Sequence, residues 1–202
     1  VSEWETKVIY AKNADTIITG AVALARSGQA ASQDALLNKL LSLDLAKLSE
    51  RQKLELSRAY ALAFIRMGEP ADKNLAKRLV VSLDSQYPAK GADLNRELSQ
   101  LLVFLKAPSV IGKTLAMMDT KVESTMVVDK EALDRNDGYG GIIKKVLANT
   151  PEIQNLHYAM TLRNLRYGWK EDQRKKYFNW YKDAATKSGG VSYGGFLKNF
   201  QK

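Results

Sequence analysis

Residues 93–118 read DLNRELSQLLVFLKAPSVIGKTLAMM. Leu94, Leu98, Leu101, Leu102 and Leu105 recur at steps of three and four, the spacing of one helix face. Ala107-Pro108 then breaks the pattern, because proline lacks a backbone N–H and pushes the residue before it out of the helical region. A second apolar run follows through Ile111, Leu115 and Met118. The stretch is a helix hairpin. A hairpin of this kind cannot bury both of its faces alone, so a chain built from several of them stacks them into an α-solenoid.

Outward from this hairpin the plan repeats. An opening helix through Trp4, Val8 and Ile9 precedes a hairpin of about Asp15 to Arg26 and Ser32 to Leu43, turning tightly at Ser27-Gly28. The next begins at Ser49, which forms a capping box with Gln52; its first helix stops at Gly68, and Pro70 suits the first turn of the partner helix, which runs to about Leu83. After Met118 the regularity fails. Val127 and Val128 are the only strand candidates, and Asp137-Gly138-Tyr139-Gly140-Gly141 reads as a turn. The repeat resumes at Thr150-Pro151, with helices of about Pro151 to Tyr167 and Glu171 to Lys187 parted at Gly168, and a short last helix after Ser192.

The expectation is an all-α fold: an α-solenoid of HEAT-like helix hairpins forming a single domain over residues 1–202. An irregular insertion occupies 119–148, and a basic C-terminal hairpin with a capping helix occupies 150–202. Hairpin starts near 15, 50, 94 and 152 lie, at first, close to the repeat length of about 40 to 47 residues for HEAT-type units. A plain helical bundle shares the local patterns; the repeated short-turn plan favours the solenoid.

Composition excludes several chemistries. With no cysteine there is no disulfide, thiolate zinc site, cysteine nucleophile or covalent c-type haem attachment in this segment. No window approaches the length of a membrane span, and the opening Val1-Ser2-Glu3-Trp4-Glu5 lacks the order of a signal peptide; without an initiator Met, the expectation is a mature protein or an excised piece. Of the net charge of +9, residues 163–202 carry +7, from ten Lys or Arg against three Asp or Glu. A basic end attracts nucleic acid, anionic lipid or an acidic protein, although solvated lysine-rich helix faces are commoner.

His157 is the only histidine, and its helix face continues through the polar Thr161 and Asn164, so it reads as a structural or exposed imidazole. An enzyme would need an enclosed pocket that joins it to carboxylates such as Glu152. Residues 174–182, RKKYFNWYK, interleave bases with aromatics, the combination that contacts phosphates and stacks on unpaired bases. Tyr177, Trp180, Tyr181 and Ala184 also fall at helical spacing, which makes the aromatics a buried face with the lysines outside. Gly189 to Phe196 matches no phosphate-binding fingerprint and reads as a helix start capped by Ser192 and stapled by Val191 and Phe196. Asp134 to Gly138 lacks the alternation and terminal Glu of a calcium loop. No catalytic, metal or cofactor-binding residue is assigned. The candidate partner contacts are His157, Arg163, Arg166, Trp169, Arg174, Lys175 and Lys176.

Several segments carry a resemblance when taken in order. They are residues 48–54 (LSERQKL), 60–68 (YALAFIRMG), 94–98 with 107–110, His157-Tyr158-Ala159, Leu162-Arg163, Gly168-Trp169, 174–180 (RKKYFNW), and Gly189-Gly190 through Phe196-Leu197. Together they resemble the HEAT-repeat region of large secreted multidomain proteins of Bacteroidetes and Planctomycetes, over about Asp15 to Phe200. In that family the repeats commonly accompany a sorbosone-dehydrogenase-like β-propeller and a c-type cytochrome domain. The resemblance implies a periplasmic or cell-envelope setting and a non-enzymatic scaffold, with a protein or neighbouring domains of the same polypeptide as partner. This chain has no Cys-x-x-Cys-His and no propeller sequence, so haem binding and dehydrogenase activity are carried onto no residue, and His157 matches a family position without an assigned role. The alternative is a basic helical-repeat protein that binds nucleic acid or processes bases. Convergence of the basic residues beside an exposed tryptophan would favour it.

Overall fold

The computed structural model describes residues 3–27, 29–120, 149, 152–187 and 193–201. Among the described residues the chain is all-α, with ten α-helices and no strand. They are α1 (Glu3–Tyr10), α2 (Ala14–Ser27), α3 (Gln33–Leu41), α4 (Glu50–Met67), α5 (Lys73–Asp84), α6 (Ala92–Phe104), α7 (Val110–Asp119), α8 (Ile153–Leu162), α9 (Glu171–Ala185) and α10 (Tyr193–Gln201). Two compact units divide the chain, Val1–Lys113 and Thr114–Lys202, with the boundary inside α7.

In the first unit, short polar residues start the helices and leucines bind them together. Asn13 Oδ1 accepts the Thr16 N–H at 3.1 Å ahead of α2, and Asp72 accepts the Asn74 N–H at 2.8 Å ahead of α5. The capping box at α4 forms as the sequence predicts: Ser49 Oγ accepts the Gln52 N–H at 3.2 Å, and Gln52 Oε1 accepts the Ser49 N–H at 3.0 Å. Leu36, Leu37 and Leu40 of α3, Leu75, Leu79 and Leu83 of α5, and Leu98, Leu101 and Leu102 of α6 are buried, each with about 1.5–3 kcal/mol of transfer free energy behind it. Helix α4 packs on both α2 and α6, α3 packs on α5, and α1 packs on α2 and α3.

Side-chain bonds join segments distant in sequence: the Asp84 side chain and carbonyl meet Ser109 and Lys113 over 25 and 29 residues, and a larger group spans 35 to 40. Arg51 and Gln52 meet Asp15 over 36 and 37 residues, Arg58 meets Glu97 over 39, Arg66 meets the Arg26 carbonyl over 40, Arg78 meets Asn38 over 40, and Lys106 meets Glu69 over 37. The buried Gln33 donates to the Gly68 carbonyl over 35 residues, at 2.7 Å. Gly68 has φ +90°, a conformation that suits glycine at the end of α4.

Residues 93–118 fold as two helices, α6 and α7, and the end of α6 contains a feature the leucine pattern does not announce. Lys106 sits at φ +55°, its N–H bonds the Val103 carbonyl, and the Ala107 N–H bonds the Leu102 carbonyl at 2.8 Å. This is a Schellman end built on lysine where glycine is usual. Ahead of α6, Asn95 clamps the loop that holds the cis Tyr87-Pro88 peptide: its Oδ1 accepts the Ala89 N–H and its Nδ2 donates to the Ala89 carbonyl.

Several boundaries differ from the sequence reading. Pro70 lies ahead of α5 rather than in its first turn, because Asp72 caps the helix two residues later. The link between α2 and α3 contains a 3₁₀ turn over Ala30–Ser32 in place of one tight turn. Helix α8 stops at Leu162, short of Tyr167: the Asn164 side chain competes for the Thr161 carbonyl, and the Asn164 and Leu165 N–H groups close tight turns on Thr161 and Leu162. Gly28, most of the expected insertion, Val127, Val128, Asp134 to Gly138, the Thr150-Pro151 start and the Gly189 to Ser192 segment lie outside the described residues.

Candidate interaction surface

The second unit places the candidate residues on α8, on the segment after it, and on α9. Tyr177 and Tyr181 are one helical turn apart on α9 and both are buried. The Tyr177 hydroxyl donates to the Ala159 carbonyl of α8 at 2.7 Å and lies 3.1 Å from the Tyr181 hydroxyl. With its proton committed to the carbonyl, Tyr177 accepts from Tyr181. Tyr193 of α10 donates to the Ala184 carbonyl. Burial pushes the phenols of Tyr177 and Tyr181 above their usual range, and the Arg163 charge opposes the shift in both.

The expected division of α9 into buried aromatics and outward bases holds in the main. Tyr177, Tyr181 and Ala184 are buried, Trp180 is half-buried, and Arg174, Lys175 and Lys176 are exposed. The basic side chains do not converge. Arg174 and Lys176 lie about 200° apart around the helix. Lys175 pairs with Glu171 at 2.7 Å, and Lys176 pairs with Asp119. Lys176, Trp180, Asp172 and Asp119 line a half-open cleft of about 520 Å³ over Leu115 and Met118. Neither His157 nor Glu152 lines it.

His157 is half-buried, with Nε2 3.4 Å from the Thr161 hydroxyl and its ring edge-on to Tyr158. Trp169 is also half-buried; its indole N–H donates to the Leu165 carbonyl at 2.8 Å and its ring lies 5.0 Å from that of Tyr177. Arg163 and Arg166 are exposed. Near the start of α8, the Asn155 amide donates to the Met118 carbonyl at 3.1 Å and to one oxygen of Glu152 at 2.6 Å. The other Glu152 oxygen and Asn155 Oδ1 are buried without a hydrogen-bond partner among the described residues, and burial raises the Glu152 pKa.

Two exposed rings were missing from the sequence-based candidates. Phe178 is 58% exposed and Tyr167 is 85% exposed. The signal was present in part, since Phe178 falls about 100° around the helix from Tyr177 and so off the buried face. Among the described residues, no three His, Asp or Glu side chains are grouped to hold a metal ion, and no helix is long and apolar enough to cross a membrane. No protein-family model, curated protein or solved structure matches the chain.

Proposed function

We propose that the chain is a non-enzymatic α-solenoid of HEAT-like hairpins that arranges neighbouring domains or holds a protein partner. The observation that carries this reading is the reach of the bonds between hairpins. In Val1–Lys113 seven of them span 35 to 40 residues, close to one repeat length, and two more, from Asp84 to Ser109 and Lys113, span 25 and 29, so successive segments are tied to one another. The packing of α4 on both α2 and α6, and of α3 on α5, supports a two-layer reading. Binding along such an array needs surface rather than a catalytic constellation.

The extracytoplasmic setting, beside redox or carbohydrate-oxidising domains, rests on the family resemblance. Chemical cross-linking of the full polypeptide, read by mass spectrometry, tests the scaffold reading. Cross-links from lysines of this region to neighbouring domains or to a second protein are expected. Cross-links confined to the region, with flanking gene sequence that encodes neither a secretion signal nor a haem-attachment motif, would overturn it.

A further inference from the structure

We propose that one flank of α9, together with the segment before it, binds single-stranded nucleic acid. Arg174, Phe178 and Lys182 stand at successive four-residue steps, which places them about 6 Å apart along one helix flank. All three are exposed, and neither cation makes an ion pair among the described residues. The pattern along the flank is cation, ring, cation. Phe178 contributes little to the core, because Tyr177 and Tyr181 already fill the buried face beside it.

Behind the flank, ring contacts run through the buried Tyr177 to the segment before α9. Phe178 touches Tyr177 at 5.6 Å between ring centroids, Tyr177 touches Trp169 at 5.0 Å, and Arg163 acts on both tyrosine hydroxyls. Arg166 and the exposed Tyr167 belong to the same segment as Arg163 and Trp169. Nearby acids do not cancel this charge: Glu171 is held by Lys175, whereas Asp172 lies in the cleft on the other flank.

A ligand that matches this surface alternates flat apolar faces with anions. A single strand does so, offering unpaired bases to the rings and phosphates to the cations, while a duplex hides its base faces. An acidic protein segment would satisfy the cations but has no obligate flat partner for the rings. The inference stands apart from the scaffold reading, and either can fail without the other.

Fluorescence anisotropy of a labelled oligo(dT) of about 15 nucleotides, titrated with the whole chain over a series of salt concentrations, tests it. Binding that weakens as salt rises is expected. Phe178→Ala is expected to weaken it roughly tenfold with the salt slope kept, as for a lost base stack. Arg174→Gln with Lys182→Gln is expected to reduce the slope by about 1.4, for two phosphate contacts. All three positions are exposed, so circular dichroism of each variant should match the parent. No binding at low salt, variants that bind like the parent, or equal binding of polyglutamate or of anionic vesicles would each overturn the proposal.

Discussion

At Gly20, α1 and α2 approach until there is no room for a side chain. A Cβ built there would lie 2.5 Å and 2.8 Å from the two methyl carbons of the buried Val8. Valine is stiff about its first torsion and cannot turn away cheaply. Gly20→Ala should therefore destabilise the chain by about 1–3 kcal/mol despite the better helix propensity of alanine. Adding Val8→Ala should recover part of the loss, and urea unfolding of the two variants checks both expectations. Tyr177 sets a different limit. Folded, its phenol stays protonated above the ordinary value of about 10, because burial disfavours the phenolate; unfolded, it ionises normally. The folded state then holds the extra proton, so its contribution is complete below about pH 10 and declines above it, by about 1.4 kcal/mol per pH unit. Tyr60, buried in the first unit, acts with the same sign. Tyr177→Phe should cost about 1–3 kcal/mol at neutral pH, since the Ala159 carbonyl loses its donor, yet make the alkaline decline shallower. Unfolding midpoints from about pH 8 to about pH 11 would reveal both effects.

Element ends were the least legible part of the sequence. Ser49 with Gln52 announced α4 because both halves of the capping box are side chains that can be read directly. The end of α6 carried no such sign: Lys106 takes the left-handed position, and nothing about a lysine advertises that role. Replacing it by glycine should raise stability by about 1 kcal/mol, less the small contribution of its exposed ion pair with Glu69, as a higher thermal midpoint would show. The early stop of α8 is a similar case. The apolar stripe runs on through Leu165, and only Asn164, competing for a backbone carbonyl, marks the end. On α9 periodicity separated the buried tyrosines from the lysines, but which basic side chains would share a flank depended on helix phase and on acids distant in sequence. Asp119, which draws Lys176 into the cleft, is the example.

For the molecule as a whole, the all-α character was readable from the three- and four-residue spacing of leucines, which the structure buries on α3, α5 and α6. The division into Val1–Lys113 and Thr114–Lys202 was not, since α7 runs unbroken through the boundary and its sequence offers no linker. The charge, too, was legible as an excess after residue 163, but its use depends on exposed rings that composition counts and does not place. The bonds between hairpins of the first unit have a further consequence. The longest of them spans 40 residues, so folding never has to close a large loop before its first long-range contact forms. Assembly from neighbour to neighbour favours fast folding, and the first unit should acquire its helical signal within about a millisecond to tens of milliseconds. Stopped-flow circular dichroism of the whole chain would measure it, and a dominant phase lasting seconds would show that something other than neighbour-to-neighbour assembly sets the pace.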